Sequence, residues 1–288
     1  MDRELTEAYA ACLALTQAHY ENFPVASRLL PARLRPHVAA VYAFARTADD
    51  FADEPGRDAP ERLQLLADWR KRLHGSEPEG IFLALHDTID RCQLPVQLFD
   101  DLLDAFMQDV TKSRYAAWPD VLDYCRRSAN PVGRLVLRLS GYNDDSLDRA
   151  SDAVCTALQL TNFWQDLAID WSRGRLYVPE ETWRAHGADP QSLNEGAMTP
   201  QWARALGDCA NHTRALFARG RPVCDGVRGR LRYELRATWL GGSRILDRLE
   251  RSGFDVFAQR PALGMPDAIV IACGTLLWRE TRPSPTRS

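Results

Sequence analysis

Hydrophobic positions recur with a helical period along nearly the whole chain, and the alternating pattern of a β-strand is almost absent. Short breakers such as Pro55-Gly56 and Gly141 separate the periodic segments. The segments that this pattern predicts as helices are 3–20, 32–54, 60–74, 79–91, 95–109, 118–141, 146–172, 199–219, 225–252 and 265–279. No linker marks a boundary, so we predict one all-α domain over residues 1–280, followed by a disordered tail at 281–288.

Two stretches depart from the regular pattern. Residues 180–198 are polar and weakly periodic, and we predict a loop that contains a short helix. Pro131, in the sequence SANPVG at 128–133, lies inside a helical segment and should kink it. A kink beside the small residue Gly133 either opens space next to the helix or only adjusts its packing, and the sequence leaves both alternatives open.

The composition excludes several classes of protein. The chain has 288 residues, of which 45% are hydrophobic and 26% charged, with a formal net charge of −3. This balance is typical of a globular protein, and it argues against nucleic-acid binding, which usually requires a basic excess. The seven cysteines are scattered and never form CxxC, so we predict reduced core residues rather than disulfides or a zinc site. With no signal peptide evident, a cytoplasmic location is expected.

Two segments raise the question of membrane contact. Residues 268–278 are strongly apolar but too short to span a bilayer, and we favour a core helix over a membrane-facing patch. The second segment, residues 219–236, is basic. We favour the interpretation that its arginines face solvent over the interpretation that they contact anionic lipid headgroups. Its arginines are Arg219, Arg221, Arg228, Arg230, Arg232 and Arg236. Peripheral association with the cytoplasmic face of a membrane remains the alternative for both segments.

The main chemical signal is a pair of acidic segments, DDFAD at 49–53 and NFWQDLAID at 162–170. Each segment places two aspartates four residues apart, which puts both carboxylates on one helix face, where they repel each other. Because the preceding residues are apolar, these carboxylates need a partner. Oxygen ligands favour Mg²⁺, which also binds substrate phosphates. The predicted metal ligands are Asp49, Asp53, Asp166 and Asp170.

Neighbouring residues extend each predicted face. At about 100° per residue, Tyr42 and Arg46 share the face of the first pair, and Asp50 lies on its flank. A guanidinium group at this position can hold phosphate oxygens bidentately. The same projection places Gln159 and Asn162 beside the second pair. Further phosphate or hydrogen-bond donors in the following RGRLYVP segment are Arg173, Arg175 and Tyr177. We interpret the two faces as halves of one Mg²⁺–diphosphate cavity.

YAFARTADDFAD followed by LQLTNFWQDLAIDWSRGRLYVP resembles the squalene/phytoene synthase family of head-to-head prenyl transferases. The resemblance covers roughly residues 12–258. It implies an isoprenoid-synthase-type helical bundle around a central hydrophobic cavity, between two Asp-rich helices. Residues at its first diphosphate site would be Phe23, Tyr42, Arg46, Asp49 and Asp53, and those at its second would be Gln159, Asn162, Asp166 and Asp170. The resemblance also implies that Asn162 binds metal and that Arg46 and Tyr124 join the aspartates as catalytic residues, with Tyr124 lining the cavity.

Within the family, NFWQDLAIDWSRGRLYVP, SANPVG and GGSRILDRLERSGFDVF are most similar to bacterial members of the hopanoid route. These members convert presqualene diphosphate and water to hydroxysqualene and diphosphate, through ionisation, carbocation rearrangement and a water quench. Many family members have a Tyr where this chain has Gly242, which argues against the family's first condensation step. Ser128 and Asn130 replace apolar or Gly positions of the family pattern. They are predicted to hold the quenching water or, alternatively, to satisfy backbone groups freed by Pro131.

The resemblance also implies cofactors and partners. Roughly two or three Mg²⁺ ions would accompany the diphosphate, and no NADPH is expected because no dinucleotide motif is evident. The substrate would be a prenyl diphosphate, with functional links to a presqualene diphosphate synthase and a hydroxysqualene reductase-type enzyme. One alternative is condensation of two farnesyl diphosphates to presqualene diphosphate, dehydrosqualene or squalene, or formation of phytoene from geranylgeranyl diphosphate. Another is a non-catalytic, prenyl-diphosphate-binding helical protein.

Overall fold

The computed structural model describes residues 3–18 and 31–279, and every regular element in these two ranges is a helix, as predicted. The α-helices are α1 (Arg3–Ala18), α2 (Arg35–Asp53), α3 (Ala59–Leu73), α4 (Ile81–Cys92), α5 (Gln97–Thr111), α6 (Trp118–Ser128), α7 (Asn130–Leu139), α8 (Asp145–Gln165), α9 (Leu167–Ser172), α10 (Glu180–Ala185), α11 (Pro200–Gly220), α12 (Val223–Gly226), α13 (Gly229–Arg251) and α14 (Met265–Leu276). Short 3₁₀ helices occupy Ala32–Leu34 and Pro190–Glu195. The predicted tail at 281–288 lies outside the described residues.

The chain divides into two compact units. The first contains Met1–Tyr115 and Pro119–Asp144, and the second contains Ala116–Trp118 and Asp145–Ser288. Each aspartate segment belongs to a different unit, and the two units are therefore described separately. The single domain predicted over residues 1–280 stays a prediction.

The first unit is built around α2, whose inner face is apolar. Phe44 is fully buried, and its ring packs edge-on against Phe99 at 5.3 Å and stacks on Trp69 at 6.1 Å between centroids. The indole of Trp69 donates a hydrogen bond to the Phe44 carbonyl at 3.3 Å. Small residues on the same face, Ala48 and Ala52, are also buried. This packing fixes the rotation of α2 and leaves its polar face available for chemistry.

Two predicted helices are divided in the structure. The segment predicted over 118–141 breaks at Ala129, between α6 and α7, and Pro131 lies in the first turn of α7. Proline suits that turn because its missing N–H would have no partner inside the helix. The segment predicted over 146–172 is interrupted at Asp166, which has φ −101° and ψ 10°. The short helix predicted within 180–198 is present as α10.

The second unit packs α8 closely against α11. The indole of Trp164 donates to the Thr213 hydroxyl at 2.9 Å inside this interface. A Cβ at Gly220 would lie 2.6 Å from the Val154 side chain and 2.8 Å from the Ala150 carbonyl, so only glycine permits this approach. These contacts hold in place the helix that ends at the second aspartate segment.

The prediction of a core helix over 268–278 is wrong. In α14 the polar residues Asp267 and Thr275 are buried, whereas Ile269 and Leu276 are 63% and 76% exposed. Apolar composition predicted burial, but the helix contacts its unit through its polar side. All seven cysteines are free, as predicted, although Cys273 on this helix is exposed rather than in the core. In the part of the chain that the structure describes, no helix is long and apolar enough to cross a membrane.

Candidate functional site

The first acidic face lies in the last two turns of α2, as predicted. Arg46 contacts two of its aspartates, with Nη1 3.4 Å from Asp49 Oδ2 and Nη2 2.5 Å from Asp50 Oδ1. Asp50, which was predicted on the flank, is thus the closer partner of the arginine. The Asp49 side chain is 45% exposed, and Asp53 at the helix end is also exposed.

This acidic face is electrostatically unfavourable for the helix that carries it. Three aspartates occupy the C-terminal part of α2, and the last turn contains no basic residue. The C-terminus of a helix carries a partial negative charge, so carboxylates there are destabilising and cations are stabilising. A bound cation would relieve this cost, which supports the interpretation of the face as a cation site.

An apolar cavity of about 320 Å³ adjoins the same face, within the first unit. Its polar end is formed by Tyr42, Arg46 and Asp49, and the rest of its wall is hydrocarbon. Residues of the apolar wall are Val38, Val41, Ala45, Leu102, Phe106, Val132, Leu135, Val136 and Leu139. Four of these come from α7, directly after the break at Ala129. Of the two alternatives for the kink, open space beside the helix is the one that the structure supports.

Tyr42 supplies a buried polar group at this end of the cavity. Its hydroxyl oxygen is inaccessible to solvent. Burial raises the pKa of the Tyr42 hydroxyl, and the neighbouring Arg46 only partly offsets this. Tyr42 therefore remains protonated near neutral pH and can donate a hydrogen bond to a bound anion.

The other predicted residues of the first unit have diverse surroundings. The Tyr124 hydroxyl donates to Asp109 Oδ2 at 2.7 Å, and Tyr124 is absent from the wall of the cavity adjoining Arg46.

Asn130 is buried at the start of α7. The Ser128 hydroxyl oxygen is buried and has no hydrogen-bond partner among the described residues. Ser128 therefore does not satisfy backbone groups freed by the proline kink. Phe23 lies outside the described residues.

The second acidic face is held by a residue that sequence analysis missed. Arg260 donates from Nε to Asp166 Oδ1 and from Nη2 to Asp166 Oδ2, the latter at 3.2 Å. Asn162 Nδ2 also donates to Asp166 Oδ2, at 2.8 Å, so these two side chains lie together. Hydrogen bonding to Asp166 raises the pKa of Arg260. The Gln165 amide fixes the same segment by donating to the Pro261 carbonyl at 2.5 Å.

The chain reverses directly after Asp170. The Asp170 carbonyl accepts hydrogen bonds from the Arg173 and Arg175 amides at 3.1 and 2.8 Å, and Gly174 adopts φ +77°, which glycine accommodates readily. Arg173 is exposed and Arg175 half-buried. The buried ring of Tyr177 stacks on Phe163 of α8, with centroids 3.7 Å apart.

Gln159 is half-buried on α8, about one turn before Asn162. Gly242 on α13, where the family resemblance implies a Tyr in many members, has closely packed surroundings. A Cβ there would clash with Leu158 and would lie 2.8 Å from the Phe217 ring. The space of the absent tyrosine is thus occupied by core packing.

The donor set suits a metal shared with substrate. Among the described residues, no three His, Cys, Asp or Glu side chains are grouped so that they could hold a metal ion by themselves. The first aspartate segment instead offers three carboxylates and the second offers two, and Asn162 adds an amide oxygen. Mg²⁺ commonly binds one or two carboxylates together with water and substrate phosphates. The residues present therefore fit Mg²⁺ bound jointly with a diphosphate.

Comparison with known proteins identifies the class of enzyme to which this all-helical chain, with its two DxxxD segments, belongs. The squalene/phytoene synthase family profile matches residues 16–267. The chain belongs to this family, whose members act on prenyl diphosphates.

Similar relatives include hydroxysqualene synthases and phytoene synthases. The hydroxysqualene synthase of Rhodopseudomonas palustris is 34% identical over 269 residues, which cover 92% of this chain and 90% of the relative. That of Zymomonas mobilis is 38% identical over 217 residues, covering 73% of this chain and 72% of the relative. The crystal structure of squalene synthase HpnC from Alicyclobacillus acidocaldarius is 39% identical, with a TM-score of 0.82, and covers 88% of this chain and 97% of that one.

Proposed function

We propose that this enzyme converts presqualene diphosphate and water to hydroxysqualene and diphosphate. The observation that carries the proposal is the cavity beside α2, which has a hydrocarbon wall and a polar end at Tyr42, Arg46 and Asp49. Such a cavity suits a long isoprenoid attached to an anionic head. The hydroxysqualene synthases among its relatives support this particular reaction.

The diphosphate is bound by cationic and hydrogen-bonding side chains of this chain. Arg46 and the protonated Tyr42 lie at the polar end of the cavity and contact phosphate oxygens. Asp49, Asp53, Asp166 and Asp170, with Asn162, would hold Mg²⁺. When bound, Mg²⁺ neutralises the charge that develops on the departing diphosphate. Further contacts to the substrate come from Gln159, Arg173, Arg175 and Tyr177.

Arg260 adds a further guanidinium to the substrate-binding residues, in addition to Arg46, Arg173 and Arg175. Its two hydrogen bonds to Asp166 use the carboxylate oxygens that a metal would bind. In the presence of substrate, Arg260 exchanges Asp166 for diphosphate oxygens, which have the same bidentate geometry. This exchange leaves Asp166 available as a ligand without leaving either charge unpaired.

The reaction breaks the C–O bond to diphosphate, and the bonding electron pair leaves with the phosphate. The apolar residues of α5 and α7 exclude solvent while the cation rearranges. One retained water then forms the new C–O bond, and its proton passes to the diphosphate. Ser128, with its unpartnered buried hydroxyl, and Asn130 hold this water. If the alcohol fraction of the products is unchanged in Ser128→Val, this role for Ser128 is wrong.

The position of the reaction in a sequence follows from its chemistry. An enzyme that joins two farnesyl diphosphates supplies the presqualene diphosphate, and a hydroxysqualene reductase-type enzyme consumes the alcohol. A second candidate function is squalene formation, favoured by the squalene synthase named for the similar crystal structure. That reaction differs because its cation is reduced by hydride from NADPH instead of being quenched by water.

Product analysis distinguishes these functions. Purified protein with Mg²⁺ receives either presqualene diphosphate or farnesyl diphosphate, with and without NADPH, and products are identified by mass spectrometry. We expect hydroxysqualene from presqualene diphosphate without NADPH. EDTA should abolish turnover, and added Mg²⁺ should restore it. Squalene that forms only with NADPH would support the second candidate, and absence of turnover would favour a non-catalytic binding protein.

A further inference from the structure

Helix α14 presents an unusual concentration of apolar side chains to solvent. Nine large hydrophobic residues are exposed in the described part of the chain, and six of them lie in or next to this helix. The six are Leu263, Met265, Ile269, Val270, Leu276 and Leu277. An exposed apolar patch of this kind marks an interaction surface.

The polar side of α14 points into the second unit. Asp267 is fully buried, where it accepts hydrogen bonds from Arg244, from Arg248 at 2.5 Å and from the Gly264 amide at 2.7 Å. A surface helix in water normally has the opposite arrangement, with its apolar stripe towards the core. Because the aspartate is fixed by two arginines, α14 cannot turn its apolar side inwards without leaving a buried charge unpaired.

The C-terminal end of α14 lies in a basic and aromatic environment. The helix runs antiparallel to α13, since a Cβ at Gly274 would contact Leu240 at 3.1 Å and the Trp278 ring lies 5.5 Å from Trp239. The arginine-rich first half of α13 therefore flanks this end. The Arg221 guanidinium packs over the Trp278 ring at 4.2 Å. Exposed arginines here are Arg228, Arg230 and Arg279.

We propose that α14 and its basic end form a docking surface for a bilayer that contains anionic phospholipid. The twelve-residue helix is too short to span a membrane, but its apolar side can lie in the boundary between headgroups and acyl chains. Tryptophan is enriched at that depth, and arginines near the surface bind anionic lipid. The excess of arginine favours an anionic lipid surface over a second copy of the same basic surface. This inference is independent of the reaction that the enzyme performs.

Vesicle co-sedimentation of the full chain tests the proposal. Vesicles contain phosphatidylcholine alone or with about one third phosphatidylglycerol, a composition that gives a negative surface potential. Ile269→Glu combined with Leu276→Glu should lower the partition coefficient onto the anionic vesicles at least about tenfold, because two apolar contacts with the lipid are lost. The matched control is Ala11→Glu with Ala14→Glu, the same charge change at exposed positions of α1, which should bind as the wild type does.

A second pair of variants tests the electrostatic part. Arg230→Gln with Arg279→Gln should lower binding to anionic vesicles about tenfold and leave the weaker binding to neutral vesicles unchanged. Molar salt should have a similar effect on the wild type. Circular dichroism checks folding, and Ile269→Ser with Leu276→Ser replaces the glutamate pair if that pair unfolds.

Three results would overturn the proposal. The first is that the wild type does not bind anionic vesicles, and the second is that both variant pairs still bind them. The third is that the wild type forms a dimer, that the glutamate pair dissociates this dimer, and that neither form binds vesicles. The last result would assign α14 to an interface between two copies, and sedimentation equilibrium measures it. Turnover of the glutamate pair in detergent should match the wild type, so failure of docking is distinguishable from failure of the proposed function.

Discussion

The two aspartate faces have the same spacing in sequence but differ in how their charge is compensated. On α2 one arginine, Arg46, lies on the same helix and is shared between Asp49 and Asp50. On the second face Arg260, distant in sequence, places two donors on Asp166 alone. The Asp49 side chain is 45% exposed and that of Asp166 is 19% exposed.

Two aspartate pairs with the same spacing can therefore differ in how much a bound cation stabilises them. The face on α2 has more carboxylates than nearby arginines, and it lies at the helix end where negative charge is disfavoured. At Asp166 the carboxylate is already paired within the chain. We infer that the α2 face gains more from bound Mg²⁺, whereas the second face needs Arg260 to change partner.

Alanine at each metal-ligating aspartate should have the largest effect. Asp49→Ala, Asp53→Ala, Asp166→Ala and Asp170→Ala are each expected to lower turnover at least about 10²-fold, because each removes charge stabilisation from the leaving group. Steady-state kinetics at saturating Mg²⁺ measure the loss, and circular dichroism checks the fold. Near-normal turnover in any two variants would remove the metal-site interpretation.

Loss of Arg260 should lower kcat/KM about tenfold, since a charge-assisted hydrogen bond to the substrate disappears. Arg260→Lys should restore only part of the activity, because lysine lacks the bidentate fork. Hydrogen exchange gives an independent readout, and amides near Pro261 should exchange faster in Arg260→Gln. If Arg260→Gln retains full activity and unchanged exchange, Arg260 has no role in this site.

The two aspartates that contact Arg46 should differ in turnover. Asp50→Asn is expected to be milder than Asp49→Asn, with a loss of only a few-fold, because Asp50 acts through the position of Arg46 and Asp49 acts on the metal. Parallel kinetics of the two isosteric variants measure this. The reverse order would mean that Asp50, the closer partner of Arg46, is the metal ligand.

The smallest expected effect concerns stability without Mg²⁺. Asp166→Asn should lower the free energy of unfolding by about 1 kcal/mol, because Arg260 loses its partner. The loss is small because solvent screens the partly exposed Arg260. Asp53→Asn should leave it unchanged or raise it by about 0.5 kcal/mol, since it removes negative charge from a helix C-terminus. Urea unfolding in EDTA measures both. Equal losses in both variants would contradict the difference between the two faces.

The same contrast explains how much could be predicted from sequence. Arg46, Asp49 and Asp53 follow one helical period, so their shared face was evident from spacing alone. Arg260 has no such signal, because it reaches Asp166 from a segment 94 residues away. The all-α class and the free cysteines were likewise predicted correctly. Near Pro131 the sequence predicted a kink within one helix, whereas the structure divides the segment into α6 and α7.

For helix α14, the apolar composition of the segment led to a wrong prediction of burial. An apolar segment predicts burial when the solvent is water, but the buried side of α14 is determined by Asp267 and its pairing with Arg244 and Arg248. These partners lie on another helix and cannot be found from the apolar segment itself. The break of the helix at Asp166 was also missed, since the apolar period continues across it.

The origin of the product oxygen tests the central claim most directly. The protein is incubated with presqualene diphosphate and Mg²⁺ in H₂¹⁸O without NADPH, and the products are analysed by mass spectrometry. Because a water molecule quenches the cation in our account, hydroxysqualene should form and carry the ¹⁸O label. Unlabelled alcohol, or squalene that appears only when NADPH is added, would contradict it.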